Sequence, residues 1–177
     1  IKDGKALLIT DKVIGKRPFN SNETEKATWE GSALRQYLNG EFLNGFGPEE
    51  RAKIAPTKLR NARVASSGGK DTTDKVFLLS ADEARKYFKN VVRSDSGVPE
   101  FKNEKEKNAW WKSRADRAAL DSEGLIASWW LRTPASISRD YGTQEMYVIG
   151  LAADVDTSGI SGTVEKGIRP ALWLTLD

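Results

Sequence analysis

Four residues near the carboxyl end carry oxygen-bearing side chains at a spacing that suits a metal ion. Residues 154–159 (DVDTSG) place Asp, Asp and Ser at alternate positions, and a glutamate follows at position 165. Calcium loops have this arrangement of alternating oxygen ligands, a turn glycine and a late glutamate. The flanking segments 147–151 and 168–174 have strand-like sequences, whereas an EF-hand needs helices, so an ordinary turn is the alternative. The candidate calcium ligands are Asp154, Asp156, Ser158 and Glu165.

The chain contains neither cysteine nor histidine. Disulfides, zinc–thiolate sites and thiol nucleophiles are therefore excluded from it, as are the commonest general base and the commonest transition-metal ligand. The Gly68-Gly69-Lys70 run lacks the leading glycine spacing of a phosphate-binding loop. We expect no cofactor other than the candidate calcium ion.

The carboxylates leave one type of enzyme open. Glycosidases work with a pair of carboxyl groups, and the chain has 25 acidic residues, although no spacing singles out two of them. A carboxylate-based hydrolase acting on glycans is therefore an alternative function, and an architectural spacer domain is another.

Two segments have the composition of a ligand-contact surface. Residues 136–141 (SISRDY) mix Ser, Arg, Asp and Tyr as adaptable binding loops do, and two tryptophans lie beside a charged, exposed excursion over residues 94–108. For these segments an ordinary polar loop and core packing are the respective alternatives. The candidate ligand-binding residues are Trp110, Trp111, Ser138, Arg139, Asp140 and Tyr141.

The charge and hydropathy patterns limit the partners. The net charge of +3 comes from 28 basic and 25 acidic residues spread along the chain, and the most basic stretch, residues 102–117, also carries three acidic residues. Nucleic-acid binders concentrate their cations on one face, so no nucleic-acid partner is expected. The apolar runs at 6–9 and 171–174 are too short to span a membrane. The expected partner is a protein or a carbohydrate, with sister domains in a longer parent chain.

The remaining tryptophans and two arginines are expected to be structural. Trp129 and Trp130 lie in a strand-like run and Trp173 in another, where core packing is the commonest role of large aromatic residues. Arg132 and Arg169 follow in the same runs. Strand-borne arginines commonly brace a neighbouring loop by binding carbonyl groups or a carboxylate.

The elements that must hold these residues are short. Apolar spacing and capping residues predict helices over 32–43, from 48 to about 54, over 81–89 and as a turn or two within 115–120. Strands are predicted at 6–14, 59–64, 76–79, 129–131, 146–151 and 168–174. We expect one domain over residues 1–177, and because Ile1 opens no signal sequence, a piece excised from a longer protein.

Four stretches carry a family resemblance: 31–43, 72–80 (TTDKVFLLS), 128–134 (SWWLRTP) and 167–174 (GIRPALWL). Together they resemble a bacterial domain of unknown function found in exported and surface proteins. That family in turn is similar to the C-type-lectin-like superfamily, which includes formylglycine-generating enzyme and the variable proteins of diversity-generating retroelements. Arg132 and Arg169 match positions that frame the binding face in that superfamily.

The resemblance implies an α+β, C-type-lectin-like fold, with two main helices packed on a twisted, mainly antiparallel sheet. The 129–132 and 168–174 strands would share this sheet, and the amino-terminal strand would pair near the carboxy-terminal one. It implies a non-catalytic ligand-binding module of a bacterial surface or secreted protein, with residues 136–141 as a diversified contact segment. Formylglycine-type activity needs cysteine, and sugar-binding lectins use Glu-Pro-Asn or Gln-Pro-Asp motifs, none of which this chain contains.

Overall fold

The computed structural model describes residues 1–22, 28–61, 69–88, 93–94, 101–114, 117–137, 144–150 and 155–176. Four α-helices lie within these ranges: α1 (Ala33–Tyr37), α2 (Pro48–Lys53), α3 (Ala81–Tyr87) and α4 (Glu104–Arg114). The strands before α4 are β1 (Lys5–Ile9), β2 (Lys16–Pro18), β3 (Thr57–Leu59), β4 (Thr72–Asp74), β5 (Val76–Phe77) and β6 (Arg93–Ser94). After α4 come β7 (Ala119–Leu120), β8 (Ile126–Ala127), β9 (Trp129–Ile137), β10 (Gln144–Ile149), β11 (Val155–Ser161), β12 (Glu165–Gly167) and β13 (Ala171–Thr175). The protein is α+β, as expected.

Two sheets form the body of the described chain. The larger has six strands in the order β2-β12-β9-β10-β11-β6, and the smaller has the order β1-β13-β5. Most neighbouring strands are antiparallel, and the two parallel contacts, β12 with β9 and β11 with β6, extend over one and two residue pairs. Two further pairs, β3 with β4 and β7 with β8, are separate hairpin-like units.

The expectation that the Trp129 strand and the terminal strand share a sheet is wrong. Gly167 meets Trp129 in the larger sheet, and four residues later β13 runs in the smaller one. Pro170 lies at the crossing, where a residue without an N–H cannot continue a hydrogen-bonded ladder. The crossing is also tight, because a Cβ on Gly167 would lie 2.6 Å from Val13 Cγ1 and 2.9 Å from the Ser128 carbonyl.

The two chain ends meet, as predicted. β1 and β13 pair antiparallel from Lys5 opposite Thr175 to Ile9 opposite Ala171. β5 lies on the other side of β13, so β1 is an edge strand of this sheet. The pairing brings the first and last strands of the sequence side by side.

Local capping signals set the helix starts. The Ser80 hydroxyl accepts a hydrogen bond from the Glu83 N–H at 3.1 Å, and a Glu83 carboxylate oxygen accepts one from the Ser80 N–H at 2.8 Å, which completes the predicted capping box. Ser32 caps α1 in the same way through the Arg35 N–H. The predicted 32–43 helix continues past α1 as a π-helical turn, Leu38–Phe42.

Two helical expectations need correction. Helical spacing predicts that Tyr87 and Ala52 face inward. Both are exposed, because the buried stripe of α3 is Ala81, Ala84 and Phe88 and the buried residue at the end of α2 is Ile54. The expected helical turn within 115–120 ends instead in the short strand β7. The exposed excursion at 94–108 carries the start of α4, whose described side chains from 104 to 109 are exposed.

The core cluster combines residues of both sheets with residues of α1 and α3. Trp29, Trp129, Trp130, Phe19 and Phe77 are its largest apolar side chains, each at most 1% exposed. The Phe19 ring lies 6.2 Å from Trp29 and 5.7 Å from Trp130 between centroids, the second edge-on. Such tilted contacts suit the charge distribution of aromatic rings.

The β7–β8 turn contains an acid-sensitive carboxylate. Asp121 accepts hydrogen bonds from the Leu125 and Glu123 N–H groups at 3.0 and 3.1 Å and from Lys16 Nζ at 3.2 Å. The Leu125 N–H is the largest influence and lowers the Asp121 pKa; burial opposes the shift, while Lys16 and the Glu123 N–H lower the pKa further. This stabilisation is therefore complete above the unfolded-state pKa and is lost as the pH falls through the folded-state pKa.

We expect the melting temperature of Asp121→Asn to fall less steeply than that of the wild type as the pH is lowered below about 5. The amide oxygen can still accept the two hydrogen bonds of the turn. The variant should therefore keep the turn and lose only the contribution to stability that depends on the charge of Asp121. Thermal melts at several pH values measure this. Parallel curves for the two proteins would show that Asp121 is not linked to the acid transition.

Candidate functional site

The sequence-predicted ligand-contact residues lie mainly outside the described part of the chain. Ser138, Arg139, Asp140 and Tyr141 fall between β9 and β10 in such a stretch. Trp110 and Trp111 lie in α4, and their side chains are outside the description as well. Their role in binding stays a prediction.

The candidate calcium ligands are distributed over two strands. Asp154 is outside the described residues, Asp156 and Ser158 lie in β11, and Glu165 begins β12 with an exposed side chain. The pairing of β11 with β10 jumps between Ile160 opposite Met146 and Asp156 opposite Val148.

The predicted turn is thus an irregularity inside a strand. Gly159 has a φ of 81° there, a conformation that glycine adopts without strain. Within the described ranges, no group of three metal-ligating side chains lies close enough to hold an ion. The calcium site, which includes Asp154, stays a prediction.

The two strand arginines brace the structure, as expected. Arg132 is 3% exposed; it donates through Nη1 to the Leu78 carbonyl at 2.7 Å and forms an ion pair with Glu83 through both terminal nitrogens, with Nη2 3.0 Å from Oε1. Its backbone N–H also donates to the Leu79 carbonyl at 3.0 Å. The arginine therefore joins β9 to the residues before α3 and to the capping box.

Arg169 holds the crossing between the two sheets. Its Nε donates to the Thr10 carbonyl at 2.7 Å and its Nη1 to the Arg117 carbonyl at 3.2 Å, while the guanidinium lies 5.2 Å from the ring centres of Phe88 and Trp129. Burial lowers the pKa of Arg169, and the Asp11 charge raises it. The group stays charged, because an arginine is not deprotonated in proteins.

A buried carboxylate that sequence reasoning missed lies beside α1. Asp74 accepts hydrogen bonds from Trp29 Nε1 at 2.9 Å and Thr72 Oγ1 at 2.8 Å, and its other oxygen lies 2.7 Å from Arg35 Nη2. The Trp29 and Arg35 contacts join residues 45 and 39 positions apart, and no local pattern indicates them. Asp74, Glu83 and Asp121 each have a defined structural partner.

Trp173 is the exception among the tryptophans expected in the core. It is half-buried, and within the described chain its indole N–H has no hydrogen-bond acceptor. It lies opposite Leu7 of β1, the edge strand, and packs against the core cluster. Lys86, Tyr87 and Phe88, at the end of α3, line an open depression together with the indole.

Two depressions share Trp173 and Lys2. The first, of about 260 Å³, is lined besides these two residues by Asp3, Lys5, Pro56, Thr57 and Lys58. The second, of about 480 Å³, has a mainly apolar lining, completed by Ile1, Leu7, Ile9, Leu79, Lys86, Tyr87 and Phe88. We call these lining residues together the Trp173 surface. Sequence reasoning missed it because its residues come from four distant segments.

The Trp173 surface is cationic and carries a neutral phenol. Lys2, Lys5, Lys58 and Lys86 line it against one carboxylate, Asp3. Burial raises the pKa of Tyr87 and the Glu83 charge raises it further, while Lys2 and Arg132 act in the opposite direction. The Tyr87 hydroxyl therefore remains protonated at neutral pH and can donate a hydrogen bond.

Comparison with known proteins identifies the family. The family model described as "Domain of unknown function (DUF6273)" matches residues 3–176. No curated protein and no solved structure matches the chain. None of the described helices is long and apolar enough to cross a membrane. Since the match extends over nearly all of its length, the chain belongs to the DUF6273 family of domains of unknown function.

Proposed function

We propose that this chain is a non-catalytic ligand-binding module of a bacterial surface or secreted protein, and that it binds its ligand on the Trp173 surface. The observation that supports this is the half-exposed indole between two open depressions. Flat aromatic rings with a polar edge are common contact groups for both sugars and proteins, because they provide a large contact area at a small entropic cost.

The environments of the buried carboxylates favour binding over a glycan hydrolase. A glycosidase acid must stay protonated near neutral pH, so its pKa is raised, and a second carboxylate must lie close to it. In the described chain Asp74 and Glu83 are bound to arginines, and the pKa of Asp121 is lowered. These three carboxylates are therefore held in structural contacts that do not suit a catalytic acid or base.

The finer fold assignment is part of the same proposal. A C-type-lectin-like arrangement is supported by the pairing of β1 with β13 and by the buried arginines that brace β9 and the start of the terminal strand. On this assignment residues 138–141 connect β9 to β10 in the place where variable proteins of that superfamily carry their contact residues. A second contact area there would extend the binding face.

One observation favours the spacer function as a second candidate. Leu120, Leu125, Ile126 and Ile14 are each 37% to 60% exposed, and the Val13 N–H donates to the Leu120 carbonyl, which brings Ile14 beside the β7–β8 hairpin. A cluster of exposed aliphatic residues is a common feature of surfaces that pack against another domain. Binding assays with the Leu125→Glu variant separate the two candidates. In a spacer, this change would disrupt the contact with the neighbouring domain, whereas ligand binding that depends on Trp173 would be unchanged.

The test of the binding function is a screen of glycan and protein arrays with the wild-type chain and with Trp173→Leu. We expect a ligand signal with the wild type and a loss of at least about tenfold with Trp173→Leu, since contact aromatics dominate binding energies. Leucine keeps an apolar side chain against the core. Phe46→Leu is the matched control, because this half-buried aromatic does not line the Trp173 surface.

Equal melting temperatures for the wild type and Trp173→Leu would establish that the loss is one of contact. An array with no ligand signal, or a signal that Trp173→Leu leaves unchanged, would refute the assignment of binding to this surface.

A further inference from the structure

We propose that the ligand of the Trp173 surface is an acidic glycan, with a sugar ring on the indole and carboxylate groups paired with the surrounding lysines. This inference rests on the proposed binding function and adds the chemical class of the ligand. It follows from the charges that line the two depressions and from how those charges are partnered.

The lysines of the surface form no salt bridge within the part of the chain that the structure describes. Among the described residues, no carboxylate lies within salt-bridge distance of Lys2, Lys5, Lys58 or Lys86, whereas Lys16 and Lys107 elsewhere on the molecule are paired with acidic side chains. Lys86 instead lies 5.3 Å from the centre of the Tyr87 ring. A groove with four lysines and one carboxylate has an excess of positive charge, which concentrates anionic ligands.

The cations converge from separate parts of the fold. Lys2 precedes the edge strand β1, Lys5 begins it, and Lys58 lies in β3; all three line the first depression. Each is a compact point charge on a flexible stem, unlike the planar fork of arginine, and no arginine lines either depression. Such groups suit carboxylates that repeat along a flexible chain.

The apolar part of the surface favours a sugar over the other polyanions. One indole lines both depressions, and within the described chain its N–H has no acceptor. It can therefore pack against the apolar face of a sugar ring and donate a hydrogen bond to a sugar hydroxyl. Single-stranded nucleic acids instead stack successive bases on several aromatic side chains along one groove. A peptide of acidic residues alone would present its carboxylates without a flat ring face for Trp173.

The experiment compares polygalacturonate with its methyl-esterified form, which has the same sugar backbone without the charges. We expect the wild-type chain to bind the acid at least about tenfold more tightly than the ester, and to lose on the order of tenfold in affinity from 50 to 250 mM NaCl. Calorimetric titration measures both. Poly-glutamate and oligothymidylate are the competing polyanions and are expected to bind more weakly.

Two variants locate the effect. Lys58→Glu should reduce polygalacturonate affinity about tenfold or more at an unchanged melting temperature, because this exposed side chain contributes to binding and not to packing. Lys105→Glu, on the exposed face of α4, changes the net charge equally and should leave the affinity unchanged. Trp173→Leu should weaken both the acid and the ester.

The outcomes separate this inference from the proposal on which it rests. Equal binding of acid and ester, abolished by Trp173→Leu, would overturn the acidic-glycan assignment and leave the binding function standing. Tighter binding of poly-glutamate or oligothymidylate would likewise replace the ligand class. Binding of polygalacturonate that neither Lys58→Glu nor Trp173→Leu weakens would overturn the assignment of both ligand and surface.

Discussion

Trp130→Ala is expected to lower the free energy of unfolding by about 3 to 5 kcal/mol. The side chain is fully buried, packs edge-on against Phe19 at 5.7 Å between centroids, and donates from Nε1 to the Arg17 carbonyl at 2.8 Å. Truncation leaves a large cavity at the centre of the core and removes the hydrogen bond that ties β9 to β2. Both losses act in the same direction.

Urea denaturation followed by circular dichroism measures this change, provided that the slope of the transition is conserved. Trp173→Ala is the comparison within the same protein, because that side chain is only partly buried and its removal should cost clearly less. A cost below about 1 kcal/mol for Trp130→Ala, or equal costs for the two tryptophans, would contradict the described core.

The second large effect is expected at the ion pair between β9 and α3. Arg132→Met should destabilise the protein by about 3 to 5 kcal/mol, because it leaves the Glu83 charge without its partner and the buried Leu78 carbonyl without its donor. Glu83 is 27% exposed at its side chain, so water compensates part of the lost charge pairing and the value should lie toward the lower end.

A double-mutant cycle with Glu83→Gln isolates the pairwise contribution. The amide keeps an oxygen that can accept from the Ser80 N–H, so the capping box survives while the charge is removed. We expect the double variant to lose less unfolding free energy than the sum of the two single losses, with a difference of about 1 to 3 kcal/mol. Strict additivity would mean that Arg132 acts through the Leu78 carbonyl alone.

These two sites show which parts of the fold are predictable from sequence. The capping box at Ser80 and the helix start at Ser32 depend on contacts within three residues, so the local sequence contains all the information needed to place them. The bracing role of Arg132 was also predictable, because a charged side chain within an apolar strand must find polar partners. Its actual partners, Leu78 and Glu83, required the tertiary structure.

Side-chain direction was harder to predict. Alternation in a strand requires that Trp129 and Trp130 point to opposite faces, and both are nevertheless fully buried, because β9 is covered on both sides. Tyr87 lies one position from the buried Phe88, and its exposure depends on where α3 ends relative to β1. A local pattern does not contain that information.

The sequence by itself determined the α+β class, the capped helix starts, the pairing of the chain ends and the absence of thiol and imidazole chemistry from this chain. The tertiary structure alone decided the division into two sheets, the buried Asp74 cluster and the exposure of Trp173. It also brought Lys2, Lys58 and Lys86 together around that indole. The reason is sequence distance: helix caps and hydrophobic alternation involve neighbours along the chain, whereas a binding surface forms from residues that only the packing of distant segments brings together.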